Sequence, residues 1–293
     1  MENLRLGKNV FRNRFSALAL MFCVAPLTVT VHAQDTWSLE SGALYMPPAE
    51  VQAQPGEVAV TESSSRIGYE TKIRGRLPLA VSFSAAHIDV YQDEAVTAVP
   101  LPSHLDAQEL DVTGTIYMPF IDRDDVYLRV GVTPAFYTDG DFDSGAFRLS
   151  SRIFGIYRPD ERWTWVAGLI ARPDFDREVV PVLGFIYRPD ERWEVNFASL
   201  SPSVSFRASD RVTWFTLVRL LSAEYEIENQ GGRVLRYRGW SAGAGIRYRI
   251  ADAVQVQTSL GGAFNRRFEY EDGEGKVVLD DGVYADIRVT AEF

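Results

Sequence analysis

The sequence predicts an all-β protein, a transmembrane up-and-down antiparallel β-barrel of about 14 strands. Three observations support this prediction. Apolar and polar residues alternate along long segments, the segments are about 9 to 14 residues long, and short turns alternate with longer loops. Crossing a bilayer obliquely takes roughly 9 to 11 residues, whereas soluble strands usually have about 5 or 6. Alternation alone also fits a soluble sandwich, so segment length and spacing carry the prediction.

The N-terminal segment has the composition of an export signal. Arg5, Lys8, Arg12 and Arg14 precede an apolar run over residues 15–31, which ends at Val31-His32-Ala33. The sequence therefore predicts a signal peptide at residues 1–33, removed on export, and a barrel at residues 34–293. We reject a lipid anchor on Cys23, because Met21 and Phe22 precede it where lipoprotein processing needs small residues.

Charge and cysteine content exclude several classes of protein. Removal of residues 1–33 leaves 26 basic and 39 acidic residues, a net charge of −13, which disfavours nucleic-acid binding. The only cysteine leaves with the signal, as suits an oxidising compartment. No later apolar run reaches the roughly 18 residues of a helical span, and a membrane protein without such spans must be a closed barrel. We therefore predict a location in the Gram-negative cell outer membrane.

The alternation is clearest in the last segment, from Val283 to Phe293, where odd-numbered residues are apolar and even-numbered residues are mostly polar. The same pattern runs through residues 110–118, 126–136 and 254–264. The first predicted strand, Trp37–Tyr45, follows the alternating pattern poorly. The pair 193–199 and 203–208, hinged at Ser201-Pro202, is short, so a count of about 12 strands is the alternative. An even count places both termini in the periplasm.

The connections fall into two classes. Short turns with turn-forming residues lie at 158–161, 188–191, 208–210 and 251–253. Longer loops are predicted at 46–64, 92–107, 138–145, 173–178, 227–234 and 271–281. The outer-membrane pattern puts short turns in the periplasm and long loops at the cell surface.

Two successive hairpins share one turn, Tyr-Arg-Pro-Asp-Glu-Arg-Trp, at residues 157–163 and 187–193. Each places a tyrosine before the charged turn and a tryptophan after it. Tyr157, Trp163, Tyr187 and Trp193 are therefore predicted to be membrane-interface aromatics. A duplicated hairpin that only anchors the barrel explains them without a further function.

These turns, the Ser201-Pro202 hinge with Val204, Phe206, Arg207 and Ser209-Asp210, and the strand from Gly261 to Phe268 resemble the DUF6268 family of outer-membrane β-barrel proteins of unknown function. The terminal Phe293 is similar to the C-terminal assembly signal of bacterial barrels. The resemblance covers most of the chain after about residue 60. It implies the β-barrel fold, an outer-membrane location and recognition of Phe293 by the barrel-assembly machinery. It implies no activity.

The inward faces of the predicted strands carry charges of both signs. The predicted lumen-lining residues are Glu70, Lys72, Arg74, Arg129, Arg148, Arg152, Glu194, Arg207, Arg247, Arg249, Arg267, Asp286 and Arg288. Such charges either line a selective pore or pair with one another and fill the lumen, since a charge in a low-dielectric interior must be paired or hydrated. The excess of arginine favours anionic solutes if the lumen is open.

Catalytic and metal chemistry have weaker support. His87 and His104, with Ser82, Ser84 and Ser103 nearby, raise the idea of a lipid hydrolase, but the His-Glu-Ser-Asn-Gly stretch of outer-membrane phospholipases is missing. The acidic segment 139–145 fails as a calcium loop, because its glycine is one place late and Ser150 replaces the bidentate glutamate. We expect no catalytic residues, metal or cofactor.

The sequence thus predicts a passive channel or binding barrel for small, preferentially anionic solutes. The alternative is a structural, envelope-integrity barrel with a filled lumen, and a lipid hydrolase comes third. The expected partners are outer-membrane lipids and lipopolysaccharide, the barrel-assembly machinery and small solutes, with no nucleic acid.

Overall fold

The computed structural model describes residues 35–73, 77–96, 99–118, 125–140, 142, 145–199, 201–227, 233–271, 273 and 275–293. The predicted signal peptide, Arg74 and part of the acidic segment 139–145 lie outside these residues. No helix among the described residues is long and apolar enough to cross a bilayer.

The alternating segments form antiparallel strands. They are β1 (Thr36–Glu50), β2 (Glu57–Ile73), β3 (Leu77–Gln92), β4 (His104–Tyr117), β5 (Val126–Thr138), β6 (Phe147–Tyr157), β7 (Trp163–Ala171), β8 (Val179–Tyr187), β9 (Trp193–Asn196), β10 (Ser203–Arg207), β11 (Val212–Ile227), β12 (Arg233–Ala251), β13 (Val254–Tyr270), β14 (Lys276–Val278) and β15 (Gly282–Glu292). Each strand of the wall pairs with the next, and β14 is a short addition beside β13.

The wall closes on itself through its first and last strands. β1 pairs with β15 from Ser38–Glu292 to Tyr45–Ala285, and β15 pairs in turn with β13. Beyond β15, the backbones of Trp37 and Phe293 exchange two hydrogen bonds of 2.8 and 2.9 Å. The described residues therefore form a closed barrel of 14 strands, β1–β13 and β15, which confirms the predicted fold class.

The two ends of the barrel differ. The end that carries both termini has the tight turns 158–162, 188–192, 208–211 and 252–253, and we call it the terminus end. The opposite end, the loop end, carries the connections 51–56, 93–103 and 172–178 among others. The loop predicted at 46–64 is wrong: β1 continues to Glu50 and β2 begins at Glu57, because these strands extend beyond the length that a bilayer requires.

The direction of the apolar face reverses along the wall. Toward the terminus end, apolar side chains such as Phe83, Leu110 and Ile153 are exposed on the outside. Toward the loop end, the inward side chains are mostly apolar and pack into one cluster, the loop-end core. Its most buried members are Met46, Val58, Val60, Leu105, Ile227, Leu235, Phe268, Tyr270, Val277 and Leu279. The loop-end core fills the barrel interior at that end.

The short strands β6 to β10 do not take part in this core. Above them, β5 and β11 come together across the interior, where Thr138 and Glu226 form a parallel bridge. The Tyr137 and Tyr225 rings meet edge to face with centroids 5.7 Å apart. The loop-end core is therefore enclosed by β1–β5 and β11–β15.

Candidate functional site

The candidate site is the polar part of the lumen, between the terminus end and the loop-end core. Strand alternation aims the side chains of Glu40, Arg66 and Ser82 into the same space, because each lies on the inward face of its strand. Two cavities of about 230 Å³ lie there, and both are lined by Glu40 and Arg66. The first also contacts Glu70 and Asp111, and the second contacts Ser64, Ser84 and Glu109. Each can hold several waters, at about 30 Å³ per water.

One ion pair spans β4 and β6 at the edge of the first cavity. Arg152 Nη2 lies 2.6 Å from Asp111 Oδ2, with both side chains mostly buried. The hydroxyls of Thr113 and Thr133 donate hydrogen bonds of 2.9 and 2.8 Å to the same carboxylate. This network satisfies the buried charges, as low dielectric surroundings require, and it neutralises Arg152.

A second charged group links β1, β11 and β15. Arg288 Nη1 lies 2.8 Å from Glu40 Oε1, and the nearly inaccessible carboxylate of Asp286 lies 3.5 Å from Arg219 Nη2. Because β11 and β15 are separated in the wall by β12 and β13, the Arg219–Asp286 contact crosses the lumen. The predicted residues Asp286 and Arg288 are thus brought together, and Arg288 is neutralised.

The other predicted lumen residues have varied surroundings. Glu194 pairs with Arg188 at 2.7 Å. Arg247 Nη2 donates to Gln257 Oε1 at 3.1 Å, and Arg129 Nε lies 3.4 Å from Thr115 Oγ1. Lys72 follows Glu70 on the inward face of β2, near the terminus end. Among the described residues, Arg207, Arg247 and Arg249 form no ion pair.

Arg148 is held away from the polar space. Its guanidinium donates to the backbone oxygens of Gly145 and Phe147, at 2.5 and 2.9 Å. Arg148 therefore fastens the end of the connection before β6 and does not offer its charge to a solute.

The prediction that Arg267 lines the lumen is wrong. Between Phe264 and Arg267, β13 has one residue more than β12 opposite, which is a β-bulge. Asn265 at this point has a φ of 50°, a conformation that asparagine tolerates better than most residues. The extra residue reverses the alternation, so Arg266 is buried inside and Arg267 lies outside, 3.5 Å from Glu269.

Sequence reasoning missed several residues of the polar space. Glu40, Arg66, Glu109 and Asp111 line the cavities, and Arg219 completes the second charged group. Extension of the alternation through β1, β2 and β4 would have found the first four. Which charges pair across the lumen depends on the register of the whole wall, and no local pattern carries that information.

The histidines lie on the outside of the wall. His87 Nδ1 is 2.7 Å from Asp106 Oδ1, and the His87 and His104 rings stack with centroids 5.8 Å apart. Ser82 and Ser84 point inward from the same strand, so they cannot form a serine–histidine pair with His87. Ser103 contacts His104 at 3.2 Å in an exposed position. The arrangement gives no enclosed nucleophile.

The predicted interface aromatics lie around the terminus end. The Trp163 and Tyr187 rings stack at 4.3 Å, and Trp193 packs on Phe206 at 4.8 Å. Tyr157 and Trp193 are both exposed. Tyr157 and Tyr187 precede the two tight turns, and Trp163 and Trp193 follow them.

The chain is similar to a domain of unknown function, DUF6268, over residues 131–286, a little over half of its length. No curated protein matches the sequence significantly. Among solved structures, a deltaS2 mutant of the TodX monoaromatic hydrocarbon channel is similar with a TM-score of 0.50 and 9% identity, covering 90% of this chain and 91% of that one.

An outer membrane channel from Pseudomonas putida F1 has a TM-score of 0.49 and 8% identity, covering 92% of this chain and 99% of that one. The NanC porin has a TM-score of 0.41 and 8% identity, covering 86% and 98%. At such identities the similarity concerns the fold, which is that of outer-membrane barrels.

Proposed function

We propose that this chain, which belongs to the DUF6268 family, is a passive barrel that binds small solutes in the polar part of its lumen. The observation that carries the proposal is the pair of cavities that share Glu40 and Arg66, each about 230 Å³. Side chains of both charge signs and several hydroxyls surround these cavities. They offer donors and acceptors to a small polar molecule.

The loop-end core closes the barrel at its loop end. Its side chains are packed and exclude water, so a solute from the terminus end reaches the cavities but does not pass through. Conduction along the whole barrel axis requires displacement of this core. The proposal is therefore a binding barrel at rest, and a channel only when the core opens.

The preference for anionic solutes rests on one side of the lumen. Arg152 and Arg288 are neutralised by Asp111 and Glu40, so they do not support it. Arg207, Arg247 and Arg249, on β10 and β12, form no ion pair among the described residues. Fixed cationic side chains of this kind favour anions.

The loop-end core and the two charged groups also favour a second function, that of a structural barrel with a filled lumen. The two functions differ in whether the polar cavities exchange solutes with bulk water. A structural barrel would hold ordered water there and bind nothing else.

The experiment is single-channel recording of the refolded barrel in a planar bilayer under a salt gradient. When the loop-end core opens, we expect conductance steps with anion preference. Arg247→Gln should weaken this preference, and the control Arg267→Gln, which alters an arginine outside the wall, should leave it unchanged. Loss of selectivity in both variants would contradict the assignment of Arg247 to the conducting path. Silence from a folded barrel, together with no retention of small anions, would favour the structural function.

The location and partners complete the proposal. A signal at residues 1–33 would export the chain, the apolar outer face would contact outer-membrane lipids and lipopolysaccharide, and the assembly machinery would recognise Phe293. Mass spectrometry of the membrane-extracted protein tests the first point, with Gln34 as the expected N-terminal residue. An uncleaved N-terminus would refute the export signal.

A further inference from the structure

The barrel wall has a notch between β8 and β11. The hairpin β9–β10 that separates these strands has only four and five residues in its strands. β11 has 16 residues, so most of it extends beyond the hairpin. The wall is complete at the terminus end and opens above the hairpin.

The β8 side of the notch is an unpaired strand edge. Only Ile186 and Tyr187 pair with β9, followed by one bond of 2.8 Å from Phe197 N to Phe185 O. In an antiparallel ladder, the N–H and C=O groups of alternate residues point to the same side, so those of Leu183 and Val179 face the notch. Among the described residues they have no backbone partner there. Residue 181, which also faces the notch, is a proline and lacks an N–H, as is usual at strand edges.

The β11 side is unpaired over a similar length. Its last pair with β10 joins Leu217 to Ser203, and Val218 N donates to Pro202 O at 2.9 Å. By the same alternation, the backbone groups of Leu220 and Ser222 face the notch, and no backbone partner for them on that side exists in the part of the chain that the structure describes. The edge is covered again only at Glu226, which meets β5.

The connection 172–178 bridges the notch on the loop-end side. Asp176 Oδ2 lies 2.8 Å from Arg238 Nη2, and Asp176 Oδ1 lies 3.2 Å from Arg236 Nη2. The backbone N–H of Asp176 also points at the Glu224 carboxylate, 3.2 Å away. The notch is therefore framed on all sides: β8 and β11 flank it, the β9–β10 hairpin limits it below, and this connection limits it above.

The two flanking strands carry apolar side chains on both faces. Outside, Leu183 is 82% exposed and Leu220 is 61% exposed, in the same outward apolar band as Leu169. Inside, Val180, Val182 and Leu221 lie on the alternate, inward face of the same two strands. The notch therefore lies within the apolar band, with apolar side chains on both its lipid side and its lumen side.

An open strand edge in hydrocarbon is costly, because each unpaired backbone group loses several kcal/mol of hydrogen bonding. Closed barrels avoid this cost by pairing every strand along its length. We propose that the notch is a lateral portal, through which small amphipathic molecules exchange between the loop-end leaflet of the bilayer and the lumen. The leucine and valine side chains would contact the apolar body, and the free N–H and C=O groups of β8 and β11 would bind its polar group.

This inference rests on the proposed solute-binding function, and it names the route and the chemical class of the solute. The test uses the variant pair Leu183→Cys with Leu220→Cys, one cysteine on each side of the notch. The described chain has no cysteine of its own. After folding, the two cysteines are linked by a bismaleimide that has a disulfide in its spacer. The reagent is the shortest that reacts with both cysteines, from a series of graded spacer lengths. The matched control pair, Leu169→Cys with Leu183→Cys, lies within the intact β7–β8 wall and leaves the notch open.

The probe is 11-(dansylamino)undecanoic acid, added to phosphatidylcholine vesicles that contain the folded barrel, with protein-free vesicles as the blank. We expect the cross-notch link to slow association of the probe at least tenfold, reduction to restore the rate, and the control link to have no effect. An unchanged rate after linking across the notch would overturn the portal. A barrel that ignores the probe but conducts or retains small anions would refute the amphipathic solute alone, and a barrel inert in both assays would refute the proposed function as well.

Discussion

Leu105 and Leu110 allow one feature of the fold to be measured with the same substitution on the same strand. Leu105 belongs to the loop-end core and is 0% exposed, whereas Leu110 is 43% exposed on the outer face of β4. The variants are Leu105→Ala and Leu110→Ala. If the loop-end core is packed like a protein interior, the two variants should differ in the free energy of unfolding.

The expected magnitudes follow from what fills the vacated space. Removal of three carbons costs about 2.4 kcal/mol of transfer free energy at about 0.8 kcal/mol per methylene. At Leu105 a cavity remains, which brings the loss to about 3 to 5 kcal/mol. At Leu110 lipid chains occupy the space, so the loss stays at or below about 2.4 kcal/mol. The core variant should therefore be at least about 0.6 kcal/mol less stable.

The assay is urea unfolding of the barrel in phospholipid vesicles, followed by tryptophan fluorescence. Equal denaturant slopes for both variants and the parent chain are needed for the comparison, since the slope reports the surface exposed on unfolding. If Leu105→Ala destabilises the barrel no more than Leu110→Ala, the interior at the loop end is solvated and our account of its closure is wrong.

Three further outcomes are expected. Deletion of Phe293 removes the backbone bonds that extend the β1–β15 seam and should reduce the heat-modifiable barrel in the outer membrane; undiminished assembly would contradict its role. The double variant Trp163→Ala, Trp193→Ala should lower the unfolding midpoint in vesicles without changing ion selectivity. Altered selectivity would show that these rings face the lumen and not the membrane. The hydrogen bond from Arg238 holds the pKa of Asp176 below its ordinary value of 3.8. This contact therefore stabilises the connection 172–178 fully at pH values above 3.8. The stabilisation is lost as the pH falls through the lowered pKa. A spin label in that connection should therefore become mobile only below about pH 4, and Asp176→Asn should mobilise it at neutral pH; a label insensitive to both changes would refute the contact.

The membrane-level part of the fold could be predicted because one rule governs it. From Val283 to Phe293 the lipid-facing residues are apolar and the lumen-facing residues are mostly polar, and β4 and β13 repeat this pattern toward the terminus end. The rule fails where the surroundings change. Val58 and Val60 face a packed interior rather than lipid, so the segment around them has the composition of a surface loop but forms strands.

The candidate site was predicted only in part. The inward positions of Arg152 and Asp286 follow from alternation, but their partners come from strands far away in the sequence. Arg267 shows the other limit, since one inserted residue at Asn265 reverses all that follows it in the strand. The notch is harder still to predict, because it depends on how far β8 and β11 extend beyond the short β9–β10 hairpin.

The reversal of the apolar face sets the membrane thickness that this barrel suits. β12 has 19 residues, which at about 3.3 Å per residue extend roughly 60 Å, far more than an apolar band of about 25 Å needs even with a tilt of about 40°. Strand length therefore does not define the hydrophobic match. The height at which the outer face turns from Phe83 to His87, and from Leu220 to Glu224, defines it. A thicker bilayer would have to thin locally or bury these polar groups, so the barrel should sort to membranes whose thickness matches that height.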